Sequence, residues 1–187
     1  MLFRSRSNGI LLAEVYPGGN ILAGSSSVVQ LDAWNWEDAV YAADHAIHLT
    51  LPSLLARPSG RGYYTAANSS PGDAVKRAYE QIEKLKLFFR EAQAYIRQGS
   101  APVQNLKFEA VRGLFQKKQK LFVHCEIVKE MQQAIEMAQE FGFDLVIVGG
   151  SESWLVADLL KKYNIPVLLS QLHELPTLPD EIGRAHV

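Results

Sequence analysis

The clearest pattern in the chain runs from Lys120 to Ser170, where short apolar runs alternate with amphipathic stretches. Each apolar run is too short for a helix and rich in branched residues, which predicts a buried strand. Apolar residues recur at helical spacing from Ile127 to Ala138, before the stop signal Gly142, and from Ser151 to Tyr163. This order predicts a parallel α/β sheet covered by helices, with right-handed crossovers. The apolar runs are LFVH (121–124), LVIV (145–148) and PVLL (166–169).

Weaker elements precede this region. Two short strands, Gly9 to Tyr16 and Ser26 to Leu31, are predicted on either side of a turn at Pro17-Gly18-Gly19-Asn20. A helical pattern extends from about Trp36 to Asp44, and Ile47 to Leu51 forms another short apolar run.

The middle of the chain is predicted to contain a loop insertion and two helices. Residues Ser53 to Gly72 concentrate Pro, Gly, Ser and Asn, which indicates a surface loop. A long helix is predicted after Pro71-Gly72-Asp73 and ends at Gly99. A shorter helix is predicted from Leu106 to Phe115.

Some side chains have predicted packing roles. Ser151 is expected to cap the helix that follows it, and Trp154 and Leu155 are expected on the buried side of that helix. Trp34 and Trp36 are interpreted as core or rim aromatics.

Composition and charge argue against several classes of function. The 187 residues are 48% hydrophobic and 21% charged, which suits one globular domain with a sizeable core. A formal net charge of -1 gives no basic field for nucleic acid and no polybasic membrane patch. The only cysteine, Cys125, excludes an internal disulfide and a thiolate zinc cluster. With no bilayer-spanning stretch and a poor signal peptide, the chain is expected to be soluble, in either a cytoplasmic or an exported setting.

His124 is the strongest candidate for chemistry. It ends a predicted buried strand, and the C-terminal ends of parallel strands are where ligands bind in such folds. Imidazole there can coordinate a metal or move a proton, whereas the alternative is a structural, hydrogen-bonded histidine. At the same edge, Gly149, Gly150 and Glu152 can border a substrate pocket, and the helix N-terminus can seat an anion. An ordinary strand-to-helix turn is the competing interpretation.

The other candidates have equally simple structural explanations. Cys125 should face away from His124 and pack against a helix. Glu126 is interpreted as an acidic first-turn residue, favoured by the helix dipole. His173 is a pocket candidate after the last strand, although a polar loop explains it as well. His45 and His48 are interpreted as satisfied or solvated residues.

Two blocks of sequence resemble the amidohydrolase superfamily, in its imidazolonepropionase-like branch. The first block, GILLAEVYPGGNILAGSSSVVQLD (9–32), is similar to the family stretch G-[IV]-T-T-x-x-V-x-P-x-x-G-x-I-x-G. The second block, residues 121–176, follows the family order of a strand ending in His, a helix, a strand leading into G-x-E-[AS]-W, a helix and I-P-V-[IL]. The resemblance extends over nearly everything from Gly9 to Asp180 except the insertion.

The resemblance implies a partial (β/α)8 TIM-type barrel with parallel strands and covering helices. It implies strand-end ligands for one or two divalent metals, expected to be zinc, and metal-activated water that hydrolyses a non-peptide C–N bond of a small amide, lactam or imide. His124 matches the family's metal histidine at the end of the fifth barrel strand, which gives it both a catalytic and a metal-binding role. Gly149-Gly150 stands where many members carry another histidine, and this departure counts against two-metal chemistry.

Other departures indicate a truncated barrel. The family's H-x-H pair does not occur in this sequence, and its last-strand Asp would lie beyond the C-terminus. We therefore expect residues 1–181 to be a truncated amidohydrolase-like barrel with 53–72 inserted. Residues 182–187 (IGRAHV) match the conceptual translation of a common sequencing adapter and are expected to be a non-biological tail. Unpaired sheet edges should favour association, including a homo-oligomer.

Three functions follow from these observations. The first is a fragment of a metal-dependent hydrolase, which alone should bind zinc no better than an exposed histidine does and should hydrolyse nothing, because the other metal ligands lie outside it. The second is a catalytically inactive binding or assembly protein of the same fold. The third is a small nucleotide-binding α/β domain, suggested by the β–α–β–α–β run.

Overall fold

The computed structural model describes residues 7–19, 21–55, 71–99 and 104–170. They form a mixed α/β structure in which one six-stranded sheet, with its strands in chain order, curls into a half barrel. The strands are β1 (Leu12–Val15), β2 (Leu22–Gln30), β3 (Val40–Thr50), β4 (Lys120–Cys125), β5 (Leu145–Gly149) and β6 (Val167–Leu168). The helices are α1 (Trp36–Ala39), α2 (Pro71–Gln98), α3 (Leu106–Ala110), α4 (Arg112–Phe115), α5 (Val128–Phe141), a 3₁₀ turn (Ser153–Val156) and α6 (Ala157–Lys162).

The C-terminal half has the predicted parallel order. Strands β4, β5 and β6 are adjacent and parallel, with His124 opposite Val148 and Ile147 opposite Val167. Helix α5 ends at Gly142, whose left-handed φ of 74° makes it the stop that the sequence indicated. The predicted parallel run is therefore confirmed.

The N-terminal half corrects the expectation of parallel strands throughout. Strands β1, β2 and β3 pair antiparallel, and only from β3 to β6 is the sheet parallel. A parallel pair needs a crossover of about a dozen residues or more. The connections between these strands are too short for such a crossover, because they comprise only residues 16–21 and 31–39.

Strand β3 is the main element that the sequence pattern misassigned. The helix expected from Trp36 to Asp44 stops at Ala39, and Val40 begins a strand that pairs with β2 and β4. Asp44 has a φ of 48° and lies in a bulge between the pairs Ser26–Ala46 and Val28–Ala42. Pairing on both sides therefore overrides the local helical pattern.

Two further helix predictions also need correction. The helix expected from Leu106 to Phe115 is interrupted at Val111, which separates α3 from α4. Trp154 and Leu155 are 49% and 54% exposed, because they lie in a 3₁₀ turn where α-helical spacing does not apply. Ser151 does not cap this turn, since its hydroxyl donates to the Glu126 carbonyl instead.

The core lies between the outer face of the sheet and helices α2 and α5. Fully or nearly fully buried residues on the strands include Leu49, Val123 and Ile147, and Cys125 faces this layer as predicted. Phe89 of α2 is fully buried and makes ring contacts with neighbouring aromatics. The ring partners of Phe89 are Phe88, Phe141 and Phe143.

The inner face of the sheet carries a much smaller apolar cluster. It consists of Ala46, Phe122 and Val146, with Val148 packed beside them. Trp34 and Trp36, expected in the core or at its rim, are 96% and 77% exposed because they lie in the β2–β3 connection, away from the helix layer. None of the described helices is long and apolar enough to cross a bilayer.

Several predictions fall on residues that the structure does not describe. Most of the insertion, 56–70, lies outside the described residues, and so do His173 and the 182–187 tail. At the insertion's C-terminal end, helix α2 begins at Pro71.

The Phe89→Ala variant should lose about 3–5 kcal/mol of unfolding free energy, because truncation of a fully buried ring leaves a cavity among other aromatic rings. Leu87→Ala, in the same helix at a position 53% exposed, should change the free energy of unfolding by no more than about 0.5 kcal/mol. Urea unfolding followed by circular dichroism measures both. Equal losses in the two variants would contradict the assigned burial of α2.

Candidate functional site

Two histidines meet at the C-terminal edge of the parallel strands. In the β3–β4 register, His48 lies opposite Phe122 and Thr50 lies opposite His124, so His48 and His124 share the inner face. Nδ1 of His48 is 2.9 Å from Nε2 of His124, which is hydrogen-bond distance. His48 is nearly fully buried, and His124 is half-buried. The strand register therefore brings together two histidines that lie 76 residues apart in the sequence.

Glu14 of the β1–β2 hairpin reaches the same face. Its Oε1 accepts a hydrogen bond from Ser26 Oγ at 2.7 Å and lies 3.2 Å from Nδ1 of His45. The same oxygen is 3.5 Å from Nε2 of His48, which is buried and makes no hydrogen bond within the described part of the chain. The carboxylate of Glu14 on β1, His48 on β3 and His124 on β4 therefore contact one another in that order.

Tyr16 covers the histidine pair. Its ring is stacked on His48 with centroids 4.2 Å apart and planes 1° apart, and it is tilted against His124 at 5.1 Å. Gly24 pairs with His48 across the sheet and has a φ of 121°. Any other residue at this position would place its Cβ 3.3 Å from the ring of Pro17. The glycine thus lets the turn after Tyr16 lie close to the sheet.

Burial sets the charge state of this cluster. Burial lowers the pKa of His48, although Glu14 opposes the shift, and burial together with the nearby His48 lowers the pKa of His124. For Glu14, burial alone would raise the pKa, but the hydrogen bond from Ser26 and the nearby rings of His45 and His48 outweigh it and the net pKa is lowered. At neutral pH the site therefore holds two neutral imidazoles and one carboxylate.

A crevice of about 330 Å³ opens beside His124. Ends of β3, β4 and β5 and the segment after β6 contribute to its lining, including Thr50, Gly149 and Ser170. Glu130 fixes one wall, because its buried carboxylate accepts hydrogen bonds from the amides of Leu54 at 3.0 Å and Glu126 at 3.1 Å. The crevice lies where the parallel topology predicts a ligand site.

Gly149 and Gly150 have packing reasons to be glycine. Gly149 has a φ of 98°, and a Cβ there would collide with the carboxylate of Glu126. Gly150 has a φ of 65°, and a Cβ there would come within 2.9 Å of Val167. Gly149 does border the crevice, but its conformation and close contacts alone require glycine.

The amides after Gly149 donate to protein acceptors. The Gly150 amide donates to the Cys125 carbonyl, the Ser151 amide to the carboxylate of Glu126, and the Glu152 amide to the Glu126 carbonyl. A side-chain carboxylate thus occupies the position that an anion would take at this turn. The arrangement disfavours the nucleotide-binding alternative.

Glu152 is not among the residues that line the crevice beside His124. Its carboxylate accepts a hydrogen bond from the amide of Val128 at 2.8 Å, which satisfies the first turn of α5. Glu126, interpreted above as a first-turn residue, instead bridges to Ser151. A pocket role for Glu152 stays a prediction, as does the role of His173.

Sequence reasoning missed Glu14, Tyr16 and His48. For His48 the available signal was the period-two alternation of β3. Ala46, His48 and Thr50 lie on one face of the strand, and Ile47 and Leu49 lie on the other.

The fit to a divalent metal rests on His124. Histidines that bind metals are neutral and usually have a hydrogen-bond partner on the second ring nitrogen. Burial lowers the pKa of His124, and His48 lies at hydrogen-bond distance from its Nε2. Within the described residues, however, no group of three or more His, Cys, Asp or Glu side chains is arranged to hold a metal ion. His124 thus has the properties of a metal ligand, but the described residues contain no complete ligand set.

Comparison with known proteins supports the fold. No protein-family model and no curated protein matches the sequence. The structure is similar to the crystal structure of an amidohydrolase from Thermotoga maritima MSB8, with a TM-score of 0.74 and 18% sequence identity. The similarity covers 100% of this chain and 51% of that protein, so the chain spans about half its length. At this identity the likeness establishes an amidohydrolase-like fold.

The free energy of unfolding should fall as the pH is lowered below about 6.5, the ordinary histidine pKa. The folded-state pKa values of His48 and His124 are lowered, so the unfolded chain binds more protons in the window between the folded values and 6.5. Urea unfolding between about pH 8 and pH 5 measures the slope. A His48→Phe/His124→Phe double variant should have a flatter profile, and an unchanged slope would contradict the assignment.

Proposed function

We propose that the chain is part of a metal-dependent hydrolase that cleaves a non-peptide C–N bond of a small amide, lactam or imide. The observation that carries the proposal is His124, held by His48 at the C-terminal edge of parallel strands and beside a crevice. The amidohydrolase-like fold supports the same class. Sequence resemblance suggests the imidazolonepropionase-like branch.

A divalent ion, which we expect to be zinc, would polarise the scissile carbonyl and make water a nucleophile at neutral pH. In this proposal His124 is one of its ligands, because its pKa is lowered and the ring is available without loss of a proton. His48 holds the His124 ring in place, and Tyr16 shields the pair from solvent. Catalytic zinc sites use about three protein ligands, so we assign the others to the rest of the protein.

The crevice beside His124 is the proposed substrate site. Its volume of about 330 Å³ suits a small molecule, and Gly149 keeps the β5 end free of side-chain atoms. Gly150, Glu152 and His173 are proposed to border the same substrate from the loops after β5 and β6.

The competing proposal is an inactive protein of the same fold that binds a ligand or assembles with a partner. The observation that favours it is the missing ligand set within the described residues. Gly149-Gly150 favours it less than the sequence suggested, because packing already requires both glycines. The metal content of a longer protein containing this chain separates the two: a stoichiometric divalent ion supports the hydrolase, and its absence supports the binding protein.

In a longer protein that contains this chain and completes the barrel, His124→Ala should lower zinc content and amide hydrolysis together. The fold should be preserved, because the side chain lies at a strand end and is only half-buried. Metal analysis, turnover and circular dichroism provide the readouts.

Lys120→Ala is the matched control for that experiment. Lys120 lies at the other end of the same strand with an exposed side chain, so zinc content and turnover should stay at the wild-type level. Full metal content and full rate in His124→Ala would show that His124 is structural.

The 187-residue chain alone should bind zinc weakly and hydrolyse nothing, because His124 is the ligand that the described residues supply. Equilibrium dialysis against zinc, with a His124→Ala comparison, measures the affinity. Tight stoichiometric binding by the isolated chain would refute the assignment of the other ligands to the rest of the protein.

A further inference from the structure

We propose that Glu14 and His48 are positioning residues that place the proton of His124 on Nε2 and leave the lone pair on Nδ1. The use of that lone pair as a metal ligand rests on the proposed function. The tautomer itself follows from the contacts of the folded chain.

The first step concerns the carboxylate of Glu14. Ser26, which is fully buried, donates to Glu14 Oε1 at 2.7 Å, and His45 contacts the same oxygen at 3.2 Å. These contacts hold Oε1 in a fixed position 3.5 Å from Nε2 of His48. An anionic oxygen is therefore aimed at one nitrogen of a buried ring.

The second step concerns His48. A lone pair on Nε2 would face the carboxylate and be repelled by it, whereas an N–H at Nε2 is attracted to it. Oε1 therefore selects the tautomer of His48 with the proton on Nε2. Nδ1 of the neutral ring then carries a lone pair and can only accept a hydrogen bond.

The third step concerns His124. Its Nε2 lies 2.9 Å from Nδ1 of His48, a distance that requires a proton between the two nitrogens. Because His48 Nδ1 accepts, His124 Nε2 must donate. Nδ1 of neutral His124 is consequently the basic atom, while its other nitrogen has the hydrogen-bond partner that ligating histidines usually have.

Tyr16 keeps the His48 ring in this orientation. The two rings lie 1° from parallel with centroids 4.2 Å apart, so the stacking restrains tilting of the His48 plane. A half-turn of His48 would keep the stacking but would move Nδ1 away from His124 and lose that contact. The proton order therefore depends on the fixed ring plane as well as on the charge of Glu14.

The test is nitrogen-15 NMR of the metal-free 187-residue chain at about pH 8, with labelled histidine. The proton shared by the two rings should be found on Nε2 of His124 in the wild-type chain. In Glu14→Met, which removes the carboxylate, it should be distributed between His124 Nε2 and His48 Nδ1. Ser25→Ala is the matched control: Ser25 donates to Asp44 and does not touch Glu14, so the variant should keep the wild-type distribution.

A wild-type proton on His48 Nδ1, or an unchanged distribution in a folded Glu14→Met chain, would overturn the proposal. If Glu14→Met does not fold, Ser26→Ala loosens the same carboxylate and should shift the distribution in the same direction. Zinc content of a longer protein that completes the barrel separates this proposal from the function. Stoichiometric zinc there, with the proton on His124 Nε2 in the 187-residue chain, supports both. The same proton position with no zinc in the longer protein supports the proton placement and contradicts the metal-dependent function.

Discussion

The parallel pairing of β3 with β4 is the constraint on which the rest of the structure depends. To pair in parallel after Thr50, the chain must return to the opposite end of the sheet before Lys120, and helices α2, α3 and α4 lie in that return. Those helices cover the outer face of the sheet, so that face holds the apolar core. The inner face is free to carry polar side chains, and the register of this one strand pair brings His48 to His124.

What the sequence could predict was local. The apolar runs at β4 and β5, the amphipathic face of α5 and the stop at Gly142 each depend on neighbours within a few residues, and all are present. Strand β3 could not be read in the same way, because the residues from Val40 to Asp44 are stabilised by partner strands rather than by their own pattern.

The candidate site could likewise be predicted only in part from the sequence. His124 was identifiable because a polar residue at the end of an apolar run marks the C-terminal edge of a sheet. His48 is 76 residues away in sequence and Glu14 lies on a hairpin further upstream, so their approach depends on pairings that period and composition do not specify. Gly149 and Gly150 show the converse error, since a motif that suggested a ligand site is accounted for by a left-handed turn and close contacts.

The placement of Cys125 gives the molecule an internal reporter. The thiol lies beneath α5 with 4% of its surface exposed, and burial, with Glu130 and Glu126 nearby, raises its pKa to about 12. Thiolate is the form that alkylating reagents attack, so the folded chain should be almost inert to them at neutral pH. Since it is the only cysteine in the sequence, the rate of its alkylation measures how often the helix layer lifts from the sheet, without any engineered label.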